Sequence, residues 1–436
     1  MEAALEIFRD GKWIKAASIK ELGPDRCTFD YIPEYIFSDD PLPVALGHPV
    51  EFTVPRFVLP TGGGMEEVDH TVPAFLYDLV PQGKGRKFLL GLLKKADSDQ
   101  LVLPLLLAGA FNPIGNLRID KAVEFFKKNA PQTDAPLNAE GFELDEILKK
   151  SDNFLEHLAL HAMLASGTTG VQGVAPKYLL TQDAAGRWFA DMALPDAQAH
   201  RHWLLKLPRG RHDDDRMVLR NEAAYLRVAA ACGLRVEQAP MLKGEMLFVP
   251  RFDRRVGTKG LERLHQESLA SLVGLQGFGL PVTQNDLLAA MRTHVSDPAE
   301  ETIEFLKRDA LNLALRNTDN HARNTAVQRL TEGHIQLTPL FDFAPMFADP
   351  EIVPRTVEWV LKDGKTSKDW PRIVEALDVA DAERAEIARR MRAFSEVVGK
   401  LPELCANEGV EARVLEQCRA AIDAVAASLQ RIEAKA

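Results

Sequence analysis

The segment NTDNHARN (317–324) sets a carboxylate, Asp319, five positions before a carboxamide, Asn324, and a second carboxylate, Asp342, follows in LTPLFDF (337–343). Transfer of a phosphoryl group asks for such parts: one carboxylate to orient a hydroxyl and take its proton, and further oxygen atoms to hold the Mg²⁺ ions that bridge phosphates. The periodicity of IEFLKRDALNLALR (303–316) predicts a helix ending near Asn317, so Asp319, His321, Arg323 and Asn324 fall in a loop that enters the strand TAVQ. Asp342 then lies past a hairpin turned by Thr331, Glu332, Gly333 and His334. Asp and Asn favour helix ends and turns whatever their chemistry. The weight of the cluster therefore depends on what the rest of the chain supplies.

Upstream, Lys206 in the predicted strand HWLLKLP and Glu222 early in the following helix, NEAAYLRVAAACGL (221–234), stand where a phosphate-binding lysine and its pairing glutamate would stand. Each has a plainer reading. A strand lysine deters edge-to-edge aggregation, and a glutamate near a helix N-terminus is favoured by the dipole. ASGTTGVQGVAPK (165–177) is a small-residue loop whose glycines let backbone N–H groups approach phosphate oxygens, and it enters a strand carrying Lys177. LFVPRFDRR (247–255) leaves a strand as a hinge between two lobes. Pro250 has no N–H, so its carbonyl is the group to accept from an adenine amine while the Phe252 N–H donates to the ring. Arg251, Asp253 and Arg254 read as a structural charge network around that hinge. The run RHDDDR (211–216) reads as a solvated, mobile loop rather than a metal site, and His265 and Gln266 in HQESL either cap a helix or face a nucleotide.

These residues need elements to hold them. Residues 1 to 118 show short strand-like runs (ALEIFRDGKWIKAAS, RCTFDYI, VEFTVPRFVL), and PAFLYDLVPQGKGRKFLLGLL reads as one or two helices. KKNAPQTDAPLNAEG (127–141) is the best linker. From 165 to 255 the pattern is an antiparallel sheet carrying one helix, and beyond 260 it is helical except for the hairpin before Asp342. Ile387, Met391, Phe394 and Val398, then Val414, Cys418, Ile422, Val425, Leu429 and Ile432, mark two amphipathic helices. With 436 residues and 46% hydrophobic content the chain buries a sizeable core. A net charge of -10 argues against a whole-surface nucleic-acid or anionic-membrane binder. No stretch reaches the roughly 18 consecutive apolar residues of a membrane span, and the four scattered cysteines make neither a disulfide framework nor a zinc site, so a cytoplasmic protein is expected.

The Asp-x4-Asn spacing with a later Asp-Phe matches the catalytic and metal-binding loops of protein kinases. More closely, the ordered set GVQ...PK, HWLLKLP, NEAAYL, VPRFDRR, HQESLASLVG and NTDNHARN...LTPLFDF resembles the HipA-type serine/threonine kinase toxins. FDYIPEYI...PLPVALGHP...PAFLYDLVP resembles the small N-terminal subdomain of that family, so the likeness covers residues 1 to roughly 400. It implies an α+β, two-lobed protein-kinase-like fold: an N-terminal subdomain (1–118), the remainder of the N-lobe with Gly-rich loop, ATP lysine and hinge (119–255), and a helical C-lobe (256–436). It further implies phosphorylation of a protein serine or threonine with ATP and Mg²⁺, inhibiting growth. Carried over by position, Asp319 is the catalytic base, Asn324 and Asp342 are metal ligands, and Lys206 is the phosphate lysine. Gly170, Val171, Gln172 and Lys177 belong to the phosphate loop and Pro250 and Phe252 to the adenine hinge. His321 stands beside the base among the nucleotide-site residues, as loop support. The partners implied are a protein target, such as an aminoacyl-tRNA synthetase or other translation factor, and a small helix-turn-helix antitoxin that would carry any contact with DNA.

The chain departs from the family pattern in three places. The loop serine open to autophosphorylation is replaced by Gly167, with Ser166, Thr168 and Thr169 nearby; two additional residues separate Gln172 from Lys177; and Pro250 stands where an acidic residue is common. A nucleotide-binding pseudokinase or interaction module, which binds ATP without transferring phosphate, is the competing expectation. A metal-dependent hydrolase built on Asp319, His321, His334 and Asp342 lacks recognisable ligand spacing.

Overall fold

In the computed structural model, which describes residues 2–52, 70–129, 140–149 and 177–433 apart from 209, 211, 239 and 259, the chain opens with a β-meander. Strands β1 (Glu2–Arg9), β2 (Lys12–Gly23), β3 (Arg26–Tyr31) and β4 (Leu117–Ile119) form an antiparallel sheet in the order β3-β2-β1-β4. Asp10 and Gly11 both take positive φ, 50° and 75°, as a two-residue hairpin that follows the strand twist requires. Alternation turns Leu5, Ile7, Ala17 and Ile19 inward, where they share a core with Leu103 and Leu106 of the helix Val102–Gly109 and Phe126 of the helix Asp120–Asn129. The helical run before them divides at Pro81 into a 3-10 turn, Ala74–Leu79, and a helix, Gly83–Leu93.

The second sheet is the predicted antiparallel one. It comprises β5 (Lys177–Asp183), β6 (Trp188–Ala190), β7 (Ala199–Lys206), β8 (Met241–Lys243) and β9 (Met246–Pro250), in the order β6-β5-β7-β9-β8. Its helix, Asp213–Ala231, begins eight residues earlier than expected. The acidic part of the RHDDDR run is not a mobile loop: Asp213, Asp214 and Asp215 form the first helical turn, where carboxylates complement the dipole, and Asp213 binds Arg220 and Arg413. Glu222 consequently sits in mid-helix, and its plain reading as a helix-start glutamate falls away.

The region beyond 260 is less uniformly helical than its periodicity suggests. A hairpin of β10 (Arg254–Gly257) and β11 (Gly260–Arg263) leads into β12 (His265–Ser268), which pairs with β13 (Ala326–Arg329) and through it β14 (Ile335–Leu337). A four-residue strand completed by a partner about sixty positions downstream leaves no local signal. The helices Pro298–Ala314, Asp381–Gly399 and Ala412–Gln430 pack around the fully buried Trp359 and Trp370, and both predicted apolar stripes face this core. All four cysteines are buried and free. Among the described residues no helix is long and apolar enough to cross a membrane.

The sheets meet at a buried polar hub. Arg251 clamps Asp253 with Nε and Nη2 at 2.9 and 2.8 Å and donates Nη1 to Asp191 at 2.7 Å. Asp253 also accepts from Arg254 and from the Gly115 amide, and Arg254 donates to the carbonyls of Gly115 and Pro113. Burial alone would raise the Asp253 carboxyl; the two guanidinium groups reverse this and hold it well below its ordinary range. The expected charge network is therefore present, and it ties the loop before β4 to the hinge. Removing one partner strands the others without water. Asp253→Ala should lower the unfolding free energy by about 3–5 kcal/mol, measured by urea denaturation, with Glu386→Ala in an exposed pair as the unchanged reference. Equal midpoints for the two variants would show that the hub contributes nothing to stability.

Candidate active site

Strand register creates the site. β5 and β7 pair so that Lys177 stands directly opposite Lys206, a like-charge cross-strand pair that is unfavourable by itself. The conflict is resolved by carboxylates from two other elements. Lys206 Nζ donates to Glu222 Oε1 at 2.5 Å and to Asp342 Oδ1, while Lys177 Nζ reaches Asp342 Oδ2 at 3.5 Å. Burial opposes charge on Lys206, but Asp342 and Glu222 outweigh it and hold the ammonium above its ordinary range. Burial likewise acts against the Asp342 carboxylate, and the two lysines hold its pKa well below the usual value. Lys177, with the longer contact, is pulled down by burial.

The elements that bring these groups together are locked to one another. Asp342 takes a left-handed backbone, φ 49°, which a short polar side chain tolerates better than most. The next residue, Phe343, is buried against the ring of Tyr225 with centroids 5.3 Å apart. Tyr225 lies three positions after Glu222 on the same helix and donates its hydroxyl to the Leu315 carbonyl at 3.0 Å. One aromatic contact thus couples the Glu222 helix, the Asp342 loop and the end of the helix that precedes Asp319.

The loop 317–325 is braced internally. Asn324 Nδ2 donates to the Asp319 carbonyl at 2.6 Å and the Asn324 amide to the His321 carbonyl at 2.8 Å. The Arg323 amide donates to His321 Nδ1 at 3.2 Å, which requires a neutral ring with its proton on Nε2. Burial supplies that state, lowering His321 to about 4, and Nε2 lies 3.6 Å from Asp319 Oδ1. Asp319 is raised to about 6 by burial and by Asp342, against the pull of Lys177. Asn324 Oδ1 is buried and among the described residues accepts no hydrogen bond. An orphaned carboxamide oxygen together with the Asp342 carboxylate is the hard donor set that Mg²⁺ prefers, so the residues present fit that ion.

A cleft of ≈ 910 Å³, open to solvent, runs between the lobes; Leu204 and Val249 line one side, Ala326 and Phe341 the other, with Lys206 and Asp342 in its wall. Pro250 and Phe252, the residues of the hinge expectation, line the cleft, and among the described residues the Phe252 amide has no acceptor. Of the pair left open in HQESL, Gln266 faces the cleft, whereas His265 is buried in β12 and Ser268 caps the short helix that follows. Gly170, Val171 and Gln172, with Ser166, Gly167, Thr168 and Thr169, lie outside the described residues. His334 is exposed in its turn, and among the described residues no three His, Cys, Asp or Glu side chains converge as a metal group. Sequence reasoning assigns no site residue before 170, yet Asp78, Leu79 and Ile114 also line the cleft. Their separation from the other walls exceeds 80 positions, beyond the reach of any spacing rule.

The model of the HipA-like C-terminal domain family matches residues 169–400. The fold is similar to a chain in the solved complex of HipA, HipB and operator DNA from the Shewanella oneidensis MR-1 toxin antitoxin system: TM-score 0.62, 17% identity, 98% of this chain and 100% of that one. The proinflammatory kinase CtkA of Helicobacter pylori is similar over 54% of this chain and 90% of its own, at 14% identity and a TM-score of 0.34. No curated protein matches the sequence. The first likeness establishes the mixed α+β fold.

His321 also makes the loop sensitive to acid. An imidazole that titrates near 6.5 when unfolded and near 4 when folded contributes stability that is present above pH 6.5 and lost as pH falls through 4. His321→Asn keeps an acceptor for the Arg323 amide but does not titrate. Its unfolding free energy should fall less steeply than wild type between pH 6.5 and 4, by roughly 1 kcal/mol per pH unit. Parallel slopes in pH-dependent urea denaturation would mean that the ring protonates freely in the fold.

Proposed function

The chain belongs to the HipA-like C-terminal domain family, and from that premise we propose that it is an Mg-ATP-dependent protein serine/threonine kinase. The observation that carries this reading is the Lys206 ammonium held between Glu222 and Asp342 in the wall of a hinge-bordered cleft. Each residue then has a task its environment suits. Lys206, kept positive by two carboxylates, presents a fixed charge to the α- and β-phosphates, and Lys177 reaches the same region from the neighbouring strand. The Phe252 amide and Pro250 carbonyl face the adenine edge. Asn324 and Asp342 would hold Mg²⁺, which when bound neutralises the charge that develops on the transferred phosphoryl group. Asp319, its carboxyl raised to about 6, sits close to working pH and takes the proton of the attacking hydroxyl. His321, neutral, keeps the loop in register beneath it.

The biological part of the proposal has a different support. The Shewanella protein was solved with HipB and operator DNA as a toxin antitoxin system. By that likeness we assign this chain the role of a cytoplasmic toxin that phosphorylates a component of translation, an aminoacyl-tRNA synthetase being the first to try. A small helix-turn-helix antitoxin would restrain it. Neither target nor antitoxin is fixed by the residues of the cleft.

The test is transfer of labelled γ-phosphate from Mg-ATP, with and without a cell extract, read by intact-protein mass and by mapping the labelled residue. Wild type should label itself or an extract protein on serine or threonine, EDTA should abolish the signal, and Asp319→Asn should lower it by roughly 10²-fold or more. Label on Ser166, Thr168 or Thr169 would identify a substitute for the missing loop serine. Nucleotide binding without transfer in wild type would reject the kinase and leave the nucleotide-binding module.

A further inference from the structure

We propose that Asp78, on the N-terminal subdomain, is a positioning residue for the loop that carries Asp319 and Asn324; its effect on rate rests on the kinase reading above, its effect on the loop does not. Asp78 lies near the end of a segment, Ala74–Leu79, far from the loop in sequence and outside the region matched by the family model. Its carboxylate takes three donors. Arg323 Nη1 and Ser268 Oγ bind Oδ1, the latter at 2.7 Å, and the Ser268 amide binds Oδ2 at 2.8 Å. Arg323 lies within the loop, immediately before Asn324.

The guanidinium is fixed on its remaining sides. Nη2 donates to the Gly277 carbonyl at 2.9 Å, and the group lies over the ring of Phe278, 5.0 Å from its centroid. Phe278 packs edge-on against Tyr77, the neighbour of Asp78. Ser268 holds the other end of the arrangement. It caps the helix Leu269–Leu272, whose first two amides donate to the carbonyls of Thr325 and Ala322. Asp78 therefore grips the loop through the Arg323 side chain and, by way of Ser268, grips the helix start that holds the loop's backbone.

A neutral amide cannot replace this carboxylate. Two oxygens receive three donors, so Asn would present an N–H₂ group to N–H or O–H donors on one side and lose the ionic attraction to Arg323 on the other. The consequence should be displacement of Asp319 and Asn324 with the nucleotide contacts at Lys206 and the hinge intact. A shift of about 1 Å in a reacting group is enough to cost roughly 10²-fold in rate.

The experiment uses the full chain and five proteins: wild type, Asp78→Asn, Asp78→Glu, Arg323→Gln and the Asp78→Asn/Arg323→Gln double variant. Amide hydrogen exchange read over residues 318–326 should rise in both single variants, and the double variant should add little to either, because the two side chains act as one unit. In the labelled-phosphate assay Asp78→Asn should lower kcat by roughly 10- to 100-fold while KM for ATP stays within about threefold of wild type, and Asp78→Glu should recover part of the loss. Unchanged exchange over 318–326 would overturn the proposal. So would exchange raised evenly throughout the chain, additive effects in the double variant, or a loss expressed in KM alone. If wild type transfers no phosphate, the kinase reading fails by itself and loop exchange still decides whether Asp78 holds the loop.

Discussion

Two lysines facing each other across paired strands are the constraint around which the site is arranged. A sheet does not place Lys177 opposite Lys206 without a reason, since the pair repels and both side chains are nearly withdrawn from water. Asp342 supplies the reason. It enters from the other lobe in a left-handed backbone and contacts both ammonium groups, and Glu222 binds the one that is more deeply committed. Buried ion clusters of this kind contribute little net stability against a well-packed apolar equivalent, because desolvation consumes most of the Coulombic gain. What they do specify is relative position: the two lobes and the Glu222 helix must all be in place for any of the charges to be satisfied.

The same logic recurs where the N-terminal subdomain meets the rest of the chain. Its interior is apolar, with Leu5, Ile7, Leu103 and Phe126 in one cluster, and beside apolar contacts such as Tyr77 with Phe278 its attachments include polar, directional ones. Asp253 receives the Gly115 amide beside Arg251, Asp78 receives Arg323 in the loop 317–325, and Glu267 receives the Leu46 amide at 2.8 Å. Apolar contact tolerates sliding; buried hydrogen bonds to charged groups do not, since a small shift leaves a donor or acceptor unpaired. The subdomain is thereby docked in one orientation, with Asp78 and Ile114 on the rim of the cleft.

The parts of this arrangement legible in the sequence are those encoded by local pattern. Alternation marks β1 to β3 and the antiparallel sheet, helical stripes mark the terminal helices, and motif order groups Lys206, Glu222 and Asp342 without reference to any contact. The contacts that orient them were not legible, for a common reason: each joins segments far apart in the chain. The opposition of Lys177 and Lys206 is a matter of register, and a one-residue slip would have turned one of them to the other face. β12 needed β13 to exist. The acid run at 213–215 misled because charge density is common to solvated loops and helix starts, and only the apolar residues after it distinguish them. Tyr225 was accessible in principle, being an aromatic residue one helical turn from Glu222.

Charge balance in the cleft bears on what it is built to receive. Two ammonium groups, Lys177 and Lys206, face three carboxyl groups, Asp319, Asp342 and Glu222, all buried or nearly so. Burial with Asp342 for a neighbour is what raises the Asp319 carboxyl, so the site already carries more negative charge than it can accommodate comfortably. On the proposed reading, a nucleotide triphosphate entering alone would add several negative charges to that surplus. It would also compete with Asp342 for both lysines, leaving a buried carboxylate unpaired. With a divalent cation bound as well, the displaced Asp342 would have a partner, and Asn324 Oδ1, which accepts no hydrogen bond among the described residues, would be a second oxygen to hold it. On that reading the lysine-bound carboxylate is a resting arrangement: metal-free nucleotide would open it only at the cost of a stranded charge, whereas with Mg²⁺ present Asp342 and Asn324 would have a cation to hold in place of the lysines.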